Sequence, residues 1–215
     1  MELTPDLLIK AYACGLFPMA ENSKSEDLFW VEPKERGILP LDAVHVPRSL
    51  AKTIRKQPFR VTIDTAFDDV MRLCAQMTPK RKETWINADI LRLYGALHAM
   101  GQAHSVECWD GGALVGGLYG VRLGGAFFGE SMFHRATDAS KIALIHLVAR
   151  LRVGGFSLLD TQFTTDHLAQ FGVIEIPRDA YQDRLATALE ERGDFHQLPL
   201  DAAPETVLQS VTHRS

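Results

Sequence analysis

Between Ala103 and Phe133 the chain reads AHSVECWDGGALVGGLYGVRLGGAFFGESMF. Three apolar runs are cut by two glycine turns, DGG at Asp110 to Gly112 and RLGG at Arg122 to Gly125. Tight turns between β-rich runs predict three strands in an antiparallel meander. The glycines inside ALVGGLYGV and AFFGESMF weaken those strands and permit bulges.

Downstream, Thr137 or Asp138 caps a helix running through Arg152. Ile142, Ile145, Val148 and Leu151 recur at spacing three, and Leu144 and Leu147 widen the stripe. Gly154 and Gly155 end it. FSLLDTQ reads as a buried strand, Thr165 to Phe171 as a short helix closed at Gly172, VIEI as a strand, and Asp179 to Glu191 as a helix. The tail from Gly193 has little periodicity and is expected to drape or fray. The order β-β-β-α-β-α-β-α implies a mixed sheet with helices against it. Upstream, helices are predicted over Thr4 to Ala13, Ser49 to Lys56, Thr65 to Met77 and Asn87 to Met100. Phe29 to Val31, Gly37 to Leu39 and Arg60 to Asp64 read as short strands.

The 215 residues are enough for a sizeable core in one domain or two small ones. No apolar run reaches bilayer length, and the acidic start, broken by Gly15 and Pro18, does not read as a signal peptide. Cys14, Cys74 and Cys108 are odd in number and scattered, which fits a reducing cytoplasm. A net charge of −4 argues against a general nucleic-acid coat but leaves room for a local basic patch. Arg48, Lys52, Arg55 and Lys56, then Lys80, Arg81 and Lys82, are either solvated faces or that patch.

Glu130 stands among phenylalanines. In a regular strand it shares a face with Phe128, while Gly129, Ser131 and Phe133 share the other. It is either a rim glutamate in a salt bridge or a carboxylate at the floor of a polar pocket. Asp160 and Gln162 lie two apart at the end of FSLLDTQ, on one face if the strand continues that far. They form either an Asx-type turn before a helix or a ligand site beyond a strand end. Ser131 in GESMF does not make a GxSxG nucleophile. His104, His134, His146 and His167 lack zinc spacing, and no phosphate-binding glycine motif is present. Trp30, Trp85 and Trp109 default to core packing, with Trp85 also placed to stack bases beside Lys80 to Lys82.

Several blocks taken together are more specific: AYACGLFPM (11–19), FWVEPKERGILP (29–40), TWI (84–86), AHSVECWDGGALVGGLYGV (103–121), GGAFFGESMFHRATDASKIAL (124–144) and LLDTQFTTDHLAQFG (158–172). In that order the chain resembles the bacterial leucyl/phenylalanyl-tRNA–protein transferases through about Tyr181. Ala20, Val173, the glutamate in WVEP and the short tail depart from the usual pattern.

The resemblance implies an α+β protein with a small N-terminal domain, residues 1–60. A GNAT-like acyltransferase domain with a mixed, mainly antiparallel sheet would follow, residues 61–215. The reaction would move leucine or phenylalanine, less readily methionine, from tRNA to a protein's N-terminal arginine or lysine, a mark for N-degron degradation. No cofactor or metal is implied; the enzyme would act as a cytoplasmic monomer. By the resemblance, Asp160, Gln162 and Glu130 are the catalytic set. Asp160 would hold Gln162 beside the attacking amine, and Glu130 would meet either the acceptor cation or the terminal adenosine. Trp30, Trp85, Phe128, Ser131, Met132, Phe133 and Leu158 are the substrate-binding set. Arg55, Lys56, Lys80, Arg81 and Lys82 would hold tRNA phosphates, contacts that carry little sequence information. The rival readings are another GNAT-like acyltransferase using acetyl-CoA or aminoacyl-tRNA, and a non-enzymatic RNA-binding module.

Overall fold

The computed structural model describes residues 3–25, 27–78 and 82–212. The meander is present. Strands β5 (Ala103–Asp110), β6 (Ala113–Leu123) and β7 (Ala126–His134) pair antiparallel in sequence. They lie inside a seven-stranded sheet of order β4-β5-β6-β7-β8-β3-β9, with β3 at Glu35–Ile38, β4 at Arg60–Ile63, β8 at Leu158–Gln162 and β9 at Ile174–Pro177. Helix α5 (Ala139–Val153) carries the chain from β7 to β8, and these two strands form the parallel pair of an otherwise antiparallel sheet. Such a mixed sheet agrees with the GNAT-like expectation.

The two faces of the sheet carry separate cores. One packs α5 with α2 (Arg48–Arg55) and α8 (Pro204–Thr212). The other packs α1 (Pro5–Ala13), α3 (Phe67–Ala75), α4 (Ala88–Ala99) and α7 (Arg178–Glu190). Neighbouring strand residues divide between them: Phe127 enters the first core and Phe128 the second. The glycines of β6 have a packing reason. A Cβ at Gly120 would stand 2.3 Å from the Phe128 carbonyl oxygen, and one at Gly116 would stand 2.4 Å from Cβ of Ala139. No helix among the described residues is long and apolar enough to cross a membrane.

Local signals account for several helix starts. Thr4 accepts the Leu7 amide at 3.3 Å, with Pro5 opening α1. Asn87 accepts the Ile90 amide at 2.9 Å at the head of α4. The expected cap of α5 is different: Asp138 is its N-cap residue but adopts φ +64°, and its carboxylate makes no capping bond. It pairs instead with Lys141 at 3.0 Å.

Two further features depart from expectation. Residues Phe17–Ala20 form a strand, β1, that pairs with β2 (Leu28–Val31) in a small separate sheet. As far as Thr212 the tail drapes over the fold and does not fray. Phe195 and Leu198 are buried, and α8 lays Val207, Leu208 and Val211 against α5. Its stripe spans only nine residues, too short to announce itself without the surface it covers. Leu208→Ala should therefore lower unfolding free energy by about 2–5 kcal/mol. Exposed Gln209→Ala should stay within ~0.5 kcal/mol. Urea denaturation of both variants checks this.

Candidate active site

Strands β7 and β8 pair through Ala126–Leu158, Phe127–Leu159 and Phe128–Asp160, and there the pairing stops. Both run on, β7 to His134 and β8 to Gln162. Two positions further on, Glu130 and Gln162 line an opening between the strands. A cavity of about 470 Å³ fills that opening. Leu118, Met132, Leu144, Leu147 and Leu159 give it an apolar wall, and Glu130, Ser131, Thr161, Gln162 and His167 line it with polar groups.

Glu130 lies at a bulge. Tyr119 pairs with Ser131 and Gly120 with Gly129, so Glu130 is the extra residue. Glu130 keeps the face of Phe128, toward Tyr12 and Tyr94, while the alternation shifts beyond it: Phe133, expected on the opposite face, joins Phe128 in one core. Tyr12 of α1 donates to Glu130 Oε1 at 2.6 Å, and Tyr94 of α4 donates to Oε2 at 3.2 Å. The two hydroxyls also hydrogen-bond each other. Burial pushes the Glu130 carboxyl up to about 7; the Tyr12 bond opposes this, the nearby Asp160 charge adds to it, and Tyr94 and Arg36 pull it down. Burial, with the charge of Glu130, also holds both tyrosine hydroxyls well above their ordinary range.

Asp160 sits differently. It is fully buried, and Arg36 grips it with Nε 3.0 Å from Oδ1 and Nη2 2.6 Å from Oδ2. Tyr181 donates to Oδ2 at 2.7 Å, and the Gln162 amide donates to Oδ1 at 2.8 Å. Arg36 also donates to the Gly15 carbonyl at 2.8 Å and lies between the Phe17 and Tyr181 rings, 4.6 and 4.5 Å from their centroids. Burial disfavours its charge, but hydrogen bonding and attraction to Asp160 raise its pKa overall.

The expectation that Asp160 and Gln162 share one face does not hold. Gln162 adopts φ +57°, a left-handed conformation that breaks the period-two alternation. Its side chain lines the cavity while the Asp160 carboxylate points into the Arg36 cluster. Asp160 therefore grips the backbone of Gln162, not its carboxamide. The carboxamide Nε2 is buried with no hydrogen-bond partner among the described residues.

The other expected residues divide. Ser131 and Met132 line the cavity with Glu130 and Gln162. Phe128, Phe133 and Leu158 do not; all three are buried in the core beside α1, α3, α4 and α7, and the Phe128 ring lies 4.7 Å from that of Tyr12. Alternation decides this: Leu159 and Thr161 reach the cavity, so Leu158 faces the opposite side. Trp30 is exposed on β2 and Trp85 is half-buried before α4; neither lines the cavity. Lys56 and Lys82 are exposed, and Arg55 lies 3.5 Å from Glu205. Lys80 and Arg81 lie outside the described residues. Sequence reasoning missed Tyr12, Tyr94, Arg36 and Tyr181. The available signal was a tyrosine hydroxyl on each of two apolar helix faces, since a buried hydroxyl needs a partner.

Known proteins resemble the chain over most of its length. A family model described as leucyl/phenylalanyl-tRNA protein transferase matches residues 38–186, and one for that family's N-terminal domain matches residues 1–34. A leucyl/phenylalanyl-tRNA–protein transferase of Nitrobacter winogradskyi is 61% identical over 200 residues, 93% of this chain and 89% of the relative. One of Paramagnetospirillum magneticum is 62% identical over 193 residues, 90% and 92% of the two chains. One of Caulobacter vibrioides is 57% identical over 212 residues, 99% and 98%.

Arg36→Met would leave the Asp160 carboxylate buried without its cation. The expected cost is about 3–5 kcal/mol. Tyr181→Phe should cost a smaller ~1–3 kcal/mol for one lost hydrogen bond. Chemical denaturation of the two variants tests the order.

Proposed function

The chain belongs to the leucyl/phenylalanyl-tRNA–protein transferase family and is an aminoacyl-tRNA–protein transferase, and on that premise we propose how its residues carry the reaction. Leucine or phenylalanine, less readily methionine, passes from its tRNA to the α-amine of an N-terminal arginine or lysine. The apolar wall of Leu118, Met132, Leu144, Leu147 and Leu159 takes the transferred side chain. The amine attacks the ester carbonyl; a C–N bond forms and the C–O bond to the ribose breaks. The amine must lose a proton and the ribose oxygen must gain one.

The observation that carries this reading is a carboxyl, Glu130, that lines the cavity and is held by two buried tyrosine hydroxyls; burial pushes it up to about 7, which suits general acid–base work near neutrality. Two hydroxyl protons, those of Tyr12 and Tyr94, serve three mutual contacts with Glu130. A proton taken from the amine completes that ring, so Glu130 can hold it and return it to the ribose oxygen. The unpartnered Gln162 Nε2 supports a second role: it can donate to the ester carbonyl, where negative charge grows. Asp160 acts as a positioning residue through the Gln162 backbone. The reading includes action as a monomer in the cytoplasm, with Arg55, Lys56, Lys80, Arg81 and Lys82 against tRNA phosphates.

Labelled leucyl-tRNA, offered with one peptide beginning in arginine and one in alanine, tests the assignment. Label should enter the arginine peptide alone. Glu130→Gln should slow that transfer by ~10²–10⁴-fold and abolish the rise in rate through pH about 7, the Glu130 value. The same raised pKa has a stability sign. The native state should lose stability as pH rises from the usual 4.5 through about 7, and Glu130→Gln should flatten that slope in thermal melts. Lys56→Ala and Lys82→Ala should weaken leucyl- and phenylalanyl-tRNA alike, each lowering the salt slope by about 1.

A further inference from the structure

Three side chains far apart in sequence meet away from the cavity. Asp64 follows β4, His104 lies on β5, and His196 belongs to the segment leading to α8. Asp64 Oδ2 stands 2.7 Å from His104 Nδ1 and 3.6 Å from His196 Nε2. One ligand atom from each residue lies within 4.8 Å of the others. The other carboxylate oxygen of Asp64 is fixed by the Ser105 amide at 2.8 Å. His104 is fixed by stacking on Phe195 at 4.1 Å, and His196 packs edge-on to His104 at 5.3 Å. None of the three lines the cavity or contributes to the transfer chemistry above.

Two imidazoles and one carboxylate are a zinc donor set. With bonds of about 2.0–2.1 Å, neighbouring donors of a tetrahedral zinc stand about 3.3 Å apart. The two distances from Asp64 Oδ2 fall on either side of that value. The shorter one is a hydrogen bond held by a proton; a metal replacing that proton would open it by about 0.6 Å. His98 comes within 3.9 Å of Asp64, but its Nδ1 is hydrogen-bonded to the Ala103 carbonyl at 2.8 Å. It supports the site without ligating.

We propose that Asp64, His104 and His196 bind one zinc ion, which fastens the C-terminal segment to the edge of the sheet, with water completing the coordination on the exposed His196 side. The test uses the full chain, stripped with chelator and dialysed against micromolar Zn²⁺, with bound metal measured by atomic emission. Expected are one zinc per chain, a raised melting temperature on zinc addition, and at least tenfold weaker binding in both His196→Ala and Asp64→Asn. His196 is largely exposed, so its variant folds independently of the outcome. Binding should be unchanged in Cys14→Ser, which removes the exposed thiol, and in His45→Ala, which removes an exposed histidine outside the cluster. Absence of stoichiometric zinc overturns the proposal. So does zinc that survives in His196→Ala and Asp64→Asn, or that is lost in Cys14→Ser.

Discussion

The Arg36–Asp160 pair ties four separate parts of the chain together behind the cavity. Arg36 comes from β3, Asp160 from β8 and Tyr181 from α7, while Gly15 and Phe17 belong to the N-terminal segment. A buried ion pair is costly unless its remaining donors and acceptors are also satisfied. Here they are: the guanidinium spends its fork on Asp160 and Gly15, and the carboxylate accepts from Arg36, Tyr181 and the Gln162 amide. The last bond matters most for chemistry, because it ties the backbone of Gln162 at the point where β8 leaves β7.

Two small irregularities then create the site from an ordinary sheet. One residue too many in β7, at Glu130, shifts the alternation of the residues beyond it, and one left-handed residue in β8 turns Gln162. The strands separate just before both. A non-glycine residue at φ +57° is unfavourable on its own. The bulge is held by Tyr12 and Tyr94, the left-handed residue by Asp160. Helix α1 thus contributes directly to the site, which gives the AYACGLFPM block a physical reason for its place in the chain.

Much of the scaffold was legible from periodicity. The meander, the α5 crossover and the helices on both faces follow from apolar spacing and glycine turns, because those signals are local. The site was legible only as residue types. Glu130, Asp160 and Gln162 stood out, but their relation to one another depended on a bulge and a left-handed turn that no alternation rule predicts. The cavity wall was misassigned to Phe128, Phe133 and Leu158 for a related reason. Parity along a strand tells which residues share a face, not which face opens on the cavity. Leu144 and Leu147 were visible as the widened edge of the α5 stripe, yet only the split between β7 and β8 turns that edge into a wall. Arg36 needed a partner more than a hundred residues away, and the α8 stripe needed the surface of α5.

The two acidic residues of the site show how environment divides labour between like groups. Asp160 is surrounded by donors: a guanidinium, a phenol and an amide engage its carboxylate and hold it away from the cavity. Glu130 has too few. Its two phenols share two protons among three contacts, and it has no cation of its own; Arg36 acts on it only from a distance. A carboxyl left short of donors gains by binding a proton, and that is what burial enforces here. The satisfied residue builds the site and the unsatisfied one is free to act in it. A motif containing both cannot say which is which; the count of protons around each can.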